Sequence, residues 1–309
     1  MADSPKTGMI GLGNMGGRIA RRIRDGGYPI VGYDARRAAL EQSGVVAAAS
    51  IAELVERSDV VFLSLPDSTV VEAVVYGDDG LLASARDGQV VIDLSTADPG
   101  SSARIHGELR SKGVEFIDAG ISGGAAAAER GTLVIMAGGS PVPLAALAAV
   151  FETFSSAVYH MGEPGSGHTT KVLNNFLNAI ALAATAEAMV AGRKAGLDLA
   201  QLLEVLNHSS GVNFATLNRF PHVIEGDYLE GGLTNELMAK DMRLYLELLQ
   251  QLSVTSFTGT ACLGAFDLAG ALGYGKQISN RVVDAIGDVA GGVRLQGYER
   301  TVDPGGESR

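Results

Sequence analysis

A lysine and two asparagines near the start of an otherwise apolar stretch carry the first chemical signal. In "GHTTKVLNNFLNAIALAATAEAMVAG", Gly167 to Gly192, Asn175 and Asn178 stand four and seven residues after Lys171. That spacing sets all three on one face of a helix. A lysine on a helix built for burial loses hydration and must be compensated. It either escapes to solvent or supplies an amine to a cleft. In a cleft, the neutral amine can take the proton of a hydroxyl, and the ammonium can return it. An ordinary lysine pKa of ~10.4 is too high for this near neutrality. Desolvation or a nearby positive charge would lower it, and a substrate carboxylate would oppose them. Asn175 offers both a donor and an acceptor, to a substrate or to another helix. Asn174, off the stripe, and Asn178, deeper along it, are expected to be structural. His168 is close enough to Lys171 to face the same cleft but is assigned no catalytic role.

A second signal is "MIGLGNMGGRIARRI", with Gly11, Gly13 and Gly16 in G-x-G-x-x-G spacing. The spacing alone is weak in a chain with 41 glycines. Its setting is stronger: an apolar strand precedes it, a helix follows, and a second strand ends at Asp34, near the ~20-residue interval of a ribose-binding acid. Gly11 would permit the tight turn, Gly13 the approach of a pyrophosphate, and Gly16 close packing of helix and strand. The loop Gly11, Leu12, Gly13, Asn14, Met15 and Gly16 is therefore a candidate dinucleotide cradle at a helix N-terminus. Asp34 favours NAD, because a carboxylate bonds a ribose 2′-hydroxyl and repels a 2′-phosphate. Arg36 and Arg37 leave NADP open, since either could swing onto that phosphate. A third signal, Ser122, Gly123 and Gly124, follows a predicted strand end. A hydroxyl and successive free N–H groups there make either a small anion nest or a flexible turn.

The elements that must position these groups differ between the two halves of the chain. Up to about Gly162, the runs "GMIGL", "PIVGYD", "DVVFLSLP", "QVVIDLS", "VEFIDAG" and "TLVIMAGG" read as strands. Helical patterns at Met15 to Asp25, Ile51 to Arg57 and Pro99 to Lys112 lie between them. Such alternation predicts a doubly wound α/β sheet of Rossmann type. After Gly165 only helices are expected: Ser166 to Ala195, Leu199 to Asn207, Asn235 to Leu252, Gly259 to Leu272 and Asn280 to Val289. On the third of these segments, Asn235 to Leu252, an apolar stripe of Leu237, Leu244 and Leu248 is predicted, with Lys240 and Asp241 a solvated pair beside it or a functional one. "EPGSG", Glu163 to Gly167, reads as a hinge. The predicted division is thus an α/β domain over residues 1–164 and an all-helical domain over 165–309.

Composition narrows the function classes. Over 309 residues the net charge is -11, with 46% hydrophobic and 19% charged residues. Such an acidic, core-forming chain is a poor fit for nucleic acid or anionic lipid. The single cysteine, Cys262, excludes an intrachain disulfide, and no Cys/His cluster has zinc spacing. The opening "MADSPKTGMIGLG" lacks the apolar core of a signal peptide. The run at Ala179 to Ala186 falls short of the ~20 residues that span a bilayer. A cytoplasmic location and no membrane partner are expected, with "DPGGESR" a frayed tail.

Five motifs in order, "GLGNMG" at 11–16, "DLST" at 93–96, "DAGISGG" at 118–124, "GSGHTTKVLNN" at 165–175 and "KDMRLYLE" at 240–247, resemble the β-hydroxyacid dehydrogenases. That family includes 3-hydroxyisobutyrate dehydrogenase, tartronate semialdehyde (glyoxylate) reductases and 6-phosphogluconate dehydrogenase. The resemblance implies a Rossmann-type domain, a helical domain and an active site between them. By motif, Lys171 matches the catalytic lysine and Asn175 its substrate-binding partner. Ser122, Gly123 and Gly124 match the substrate-carboxylate loop. Leu65, Pro66 and Thr96 match positions that line the cofactor, and Lys240 matches a lysine that reaches it. The implied activity is hydride transfer between NAD(P) and a small carboxylate-bearing β-hydroxy acid, 3-hydroxyisobutyrate-like, or its semialdehyde. A homodimer or homotetramer is implied. One departure is Gly120-Ile121, where the family often has Pro and Val. Two rival readings are a non-catalytic NAD(P)-binding scaffold of the same fold and an imine reductase-like enzyme; the lysine at position 171 weighs against both. "SSGVNFATLNRF", Ser209 to Phe220, is expected near the substrate. Asn213 and Phe214 are candidates there, with Phe214 equally placed for a core.

Overall fold

The computed structural model describes residues 4–296, and the tail "DPGGESR" lies outside them. The described residues fall into two compact units that divide between Leu173 and Asn174.

The first unit is an eight-stranded sheet in the order β3-β2-β1-β4-β5-β6-β7-β8. Its strands are β1 (Thr7–Ile10), β2 (Ile30–Tyr33), β3 (Val46–Ala47), β4 (Val60–Leu63), β5 (Val90–Asp93), β6 (Glu115–Ser122), β7 (Leu133–Gly138) and β8 (Ser155–Gly162). Its helices are α1 (Gly16–Asp25), α2 (Arg37–Ser43), α3 (Ile51–Glu56), α4 (Ser68–Tyr76), α5 (Leu81–Ser84), α6 (Pro99–Arg110), α7 (Gly124–Arg130), α8 (Pro141–Ala146) and α9 (Ala148–Phe151). All strand pairs are parallel except β6 with β7, which the short α7 joins antiparallel. Successive strand residues feed opposite faces. Met9, Phe62, Ile92 and Ile117 enter one core, and Ile10, Val61, Val91 and Phe116 the other. Burial on both faces is why these strands read as unbroken apolar runs. The predicted strands lie on β1, β2, β4, β5, β6 and β7. Strand β8 was not predicted: it is an edge strand with Tyr159 57% exposed, so no apolar run marks it.

The helix α10 (Ser166–Ala195) crosses the division between the units with the predicted bounds. By length and composition alone it could cross a membrane, but half of its most apolar window is buried in the protein, as in a core helix. The second unit continues with α11 (Leu199–Asn207), α12 (Phe214–Asn218), α13 (Phe220–Val223), α14 (Asn235–Gln251), α15 (Thr258–Ala269) and α16 (Val282–Val289). Within it Phe176 of α10 stacks on Tyr245 of α14, with ring centroids 4.0 Å apart. The buried face of α14 is Met238, Met242, Tyr245 and Leu249, a corrected stripe. Leu248 is buried as predicted, but Leu237 is 37% exposed. The buried face is rotated because Asn235 and Asp241 go inward with it.

Candidate active site

The glycine loop has the backbone its spacing implies. Gly11 has φ +90°, and a methyl group there would overlap the Ser64 carbonyl. A methyl at Gly16 would overlap the Gly11 carbonyl, so α1 packs on the turn as closely as backbone allows. At Gly13 an added methyl would meet only the Arg36 guanidinium, at 3.3 Å. A cavity of about 470 Å³ opens beside the loop, lined by Leu12, Gly13, Asn14, Arg18, Arg36 and Ala39 among others. Tight backbone behind, no backbone but only the end of the Arg36 side chain at the middle glycine, and a helix N-terminus suit a dinucleotide pyrophosphate.

Asp34 buttresses this loop. One carboxylate oxygen accepts the Leu12 N–H at 2.8 Å and the other the Arg36 N–H at 2.8 Å. Burial works to raise its pKa. The Arg36 and Leu12 amides and the Arg36 guanidinium outweigh it and hold the carboxyl below its usual value. The Arg36 guanidinium folds back on Asp34 at 3.3 Å, and Arg37 pairs with Glu41 at 2.9 Å. Along the neighbouring strand ends, the Leu65 N–H donates to Ser95 Oγ at 2.9 Å. Pro66 is exposed and Thr96 partly buried.

The start of α10 is clamped onto the sheet. Buried Asp118 of β6 accepts the backbone N–H groups of Gly165 and His168, each at 2.7 Å. A carboxylate facing a helix N-terminus gains from both charge-assisted bonds and the helix dipole. Gly167 lies so close that a methyl would overlap the Asp118 carbonyl, and one at Gly138 would come 2.7 Å from the Gly167 nitrogen. At Gly120, a methyl would overlap Cβ of Lys171. The stem of Lys171 therefore rests on β6 two residues before Ser122. The absence of a side chain at position 120, the departure noted in the sequence, makes room for it. Ser122 ends β6, and Gly123 and Gly124, with φ +125° and +69°, open α7. The stem of Lys171 and the Ser122–Gly124 turn thus both lie at the C-terminal end of β6, within the first unit.

His168 lies beneath this arrangement. It is fully buried, with Nδ1 2.7 Å from Ser102 Oγ and Nε2 donating to the Asp93 carbonyl at 3.3 Å. It is a bonded core residue. The neighbouring Asp93 is fully buried as well; burial pushes its carboxyl above the usual range, against the pull of His168 and Ser95.

In the second unit, buried Asn175 donates its amide to Asp241 at 2.6 Å and accepts from Asn174 at 3.3 Å. Asp241 also pairs with Lys240 at 2.7 Å. Asp241 is only 2% exposed, so the solvated-pair reading of Lys240 and Asp241 does not hold for it. Its burial was not legible in the sequence, because a Lys-Asp dipeptide on a helix is ordinarily surface. Asn178 accepts from Arg219 at 3.0 Å. Asn213 caps α12 in a capping box with Thr216 and bonds Thr185. Phe214 is 57% exposed, which removes its core alternative.

Known proteins bear out the family resemblance. A family model described as the NAD binding domain of 6-phosphogluconate dehydrogenase matches residues 6–162. One described as NAD-binding of NADP-dependent 3-hydroxyisobutyrate dehydrogenase matches residues 165–286. The chain is 37% identical to the NAD-dependent L-serine dehydrogenase of Pseudomonas aeruginosa, over 87% of this chain and 93% of that one. It is 32% identical to 2-(hydroxymethyl)glutarate dehydrogenase of Eubacterium barkeri, over 92% and 95%. Among solved structures, 3-hydroxyisobutyrate dehydrogenase of Mycobacterium tuberculosis with L-serine superposes at a TM-score of 0.84, with 27% identity over 92% of this chain and 99% of that one.

Proposed function

The chain belongs to the β-hydroxyacid dehydrogenases, NAD(P)-dependent oxidoreductases of small hydroxy acids, and from this we propose that Lys171 is its general acid–base group. The observation that carries the assignment is the seating of the Lys171 stem against Gly120, immediately ahead of the Ser122–Gly124 turn. The substrate carboxylate is held by the Ser122 hydroxyl and the free N–H groups of Gly123 and Gly124. Lys171 Nζ takes the hydroxyl proton in oxidation and returns it in reduction. Asn175, its amide N–H groups turned to Asp241, offers Oδ1 to the substrate hydroxyl. The nicotinamide ring, when bound, supplies the hydride acceptor or donor. The loop Gly11–Gly16, with Asp34, Leu65, Pro66 and Thr96, holds the dinucleotide. NAD is the preferred form, because Arg36 and Arg37 are turned to acids of their own segment and Asp34 repels a 2′-phosphate.

The names of the relatives suggest the substrate class. L-serine, 2-(hydroxymethyl)glutarate and 3-hydroxyisobutyrate share a hydroxymethyl group beside a carbon that carries a carboxylate. We propose the same unit, HOCH2–CHR–COO−, for this chain. A cytoplasmic setting is part of this reading, since Cys262 is a buried free thiol and suits a reducing compartment. So is self-association, supported by exposed apolar side chains such as Leu177, Phe214 and Phe257.

A panel of such acids with NAD and NADP, followed at the NADH absorbance band, tests the activity. Lys171→Met is expected to bind NAD as the parent does and to lose at least ~10²-fold in kcat, the scale of general acid–base help. Full activity in that variant would remove Lys171 from the mechanism.

A further inference from the structure

We infer that Asp93 is a positioning residue that works as a neutral carboxylic acid, holding both the cofactor wall and the helix start that carries Lys171. The inference rests on the acid–base reading of Lys171 above and adds a residue behind it.

Asp93 ends β5 and is fully buried. Two lines of hydrogen bonds cross at it, both within the first unit. In one, its Oδ1 accepts the Ser95 N–H at 3.0 Å, and Ser95 Oγ accepts the Leu65 N–H at 2.9 Å. Leu65 is proposed above to line the cofactor. In the other, the Asp93 carbonyl accepts Nε2–H of His168 at 3.3 Å, about one helical turn before Lys171. One residue thus ties the turn after β5 to the start of α10.

The surroundings leave no place for a negative charge on it. Asp93 Oδ2 is buried and has no hydrogen-bond partner among the described residues. Asp118 is its direct neighbour across the β5–β6 pairing, and that carboxylate already takes the Gly165 and His168 N–H groups at 2.7 Å each. The other titratable group that faces Asp93 is His168. Its Nε2 meets a carbonyl, which only accepts, so Nε2 carries a proton. Its Nδ1 is 2.7 Å from Ser102 Oγ, closer than the Asp98 carbonyl that competes for the same hydroxyl proton at 3.1 Å. A ring so held is complete as a neutral imidazole and brings Asp93 no counter-ion. A carboxylate at position 93 would be a buried charge with a bare oxygen, beside a like charge. A proton on Oδ2 removes that cost. Burial pushes the Asp93 carboxyl above its usual range; the pull of a charged His168 and of Ser95 does not overcome it, and Asp118 adds to the push. The two acids thereby hold one negative charge, on Asp118, where the helix N-terminus uses it.

The experiment compares the full chain with Asp93→Asn and Asp93→Ala, using NAD with L-serine and 3-hydroxyisobutyrate. Asn copies the size and neutrality of the protonated acid, and Ala lacks the oxygen that holds Ser95. Asp93→Ala is expected to lower kcat about 10-fold or more and to raise KM for NAD several-fold, and Asp93→Asn to recover most of both. An Asn variant as poor as Ala overturns the inference, because a charge is then required. Infrared difference spectra, parent minus Asp93→Asn, should show a protonated-carboxyl band at neutral pH, where exposed acids are ionised; its absence overturns the inference as well. Stability gives a third readout. A carboxyl whose pKa is raised on folding contributes fully below its unfolded pKa of ~3.9 and loses that contribution as pH rises toward the raised value. The melting temperature of Asp93→Asn should therefore gain on that of the parent, by at least about 3 °C between about pH 5.5 and 7.5. A constant gap overturns the neutral acid. Should Asp93→Ala fail to fold, the infrared band and the melting of Asp93→Asn still decide. If neither substrate is oxidised, or Lys171→Met keeps full activity, the reading of Lys171 falls; the band, with NAD affinity by calorimetry in place of KM, then decides on Asp93 separately. If Lys171→Met is inactive and the band is absent, the Asp93 assignment falls alone.

Discussion

Asp34 holds the Leu12 and Arg36 amides and is also the acid proposed to face the cofactor ribose, and one substitution separates these duties. Asp34→Asn keeps an oxygen for the Leu12 N–H but loses the charge that repels a 2′-phosphate. The ratio of kcat/KM with NAD to that with NADP is expected to fall by about 10-fold or more, a change of ~1.4 kcal/mol or more in relative transition-state binding. Asp34→Ala, which also loses the loop contact, should relax the preference and weaken both cofactors. A ratio unchanged in both variants would take Asp34 out of cofactor choice and return attention to Arg36. The seating of Asp34 beside the glycine loop was legible from spacing alone, because a βαβ unit fixes the distance between its turn and its acid. The setting of Asp241 was not. Its partner is 66 residues away, which no local pattern reveals.

At the scale of elements, the activity proposed here depends on how the first turn of α10 is docked. Asp118 holds two backbone N–H groups of that segment, and Gly167 and Gly138 let the helix backbone meet the sheet without intervening side chains. Gly167→Ala places a methyl against backbone carbonyls of both β6 and β7, neither of which can rotate away. The strain, about 1–3 kcal/mol, should lower the melting temperature by roughly 3–10 °C and reduce kcat by displacing Lys171. Asp118→Asn should also lower kcat, because Asn retains one acceptor oxygen and no charge. NAD affinity should hold in both, since the glycine loop is on β1. Parent-like melting and turnover in Gly167→Ala would mean that the helix start is not clamped as described. The helix itself was readable to the residue from its periodicity, and the strands of the sheet interior from their doubly apolar runs. The docking was not readable, because 50 residues separate Asp118 from the amide it caps, and glycines look alike in sequence whether they turn or pack.

At the scale of the whole molecule, the apolar surface bears on assembly. Phe257 is 86% exposed, Leu177 65%, Phe214 57% and Leu217 53%, all in the second unit. Scattered exposed apolar residues are ordinary, but four large ones in one unit of an acidic chain suit an interface between copies. A closed symmetric assembly would cover such a surface on every copy at once. The chain weighs 31.9 kDa, so light scattering coupled to size exclusion should give a dimer or tetramer multiple of that mass at micromolar concentration. Leu177→Asp puts a charge on an exposed position of α10 without entering the core, and is expected to shift the mass toward the monomer. The melting temperature of the parent should then rise with protein concentration, while that of Leu177→Asp should not, as mass action requires when folding and association are linked. A monomeric parent whose melting is independent of concentration would exclude self-association through this surface.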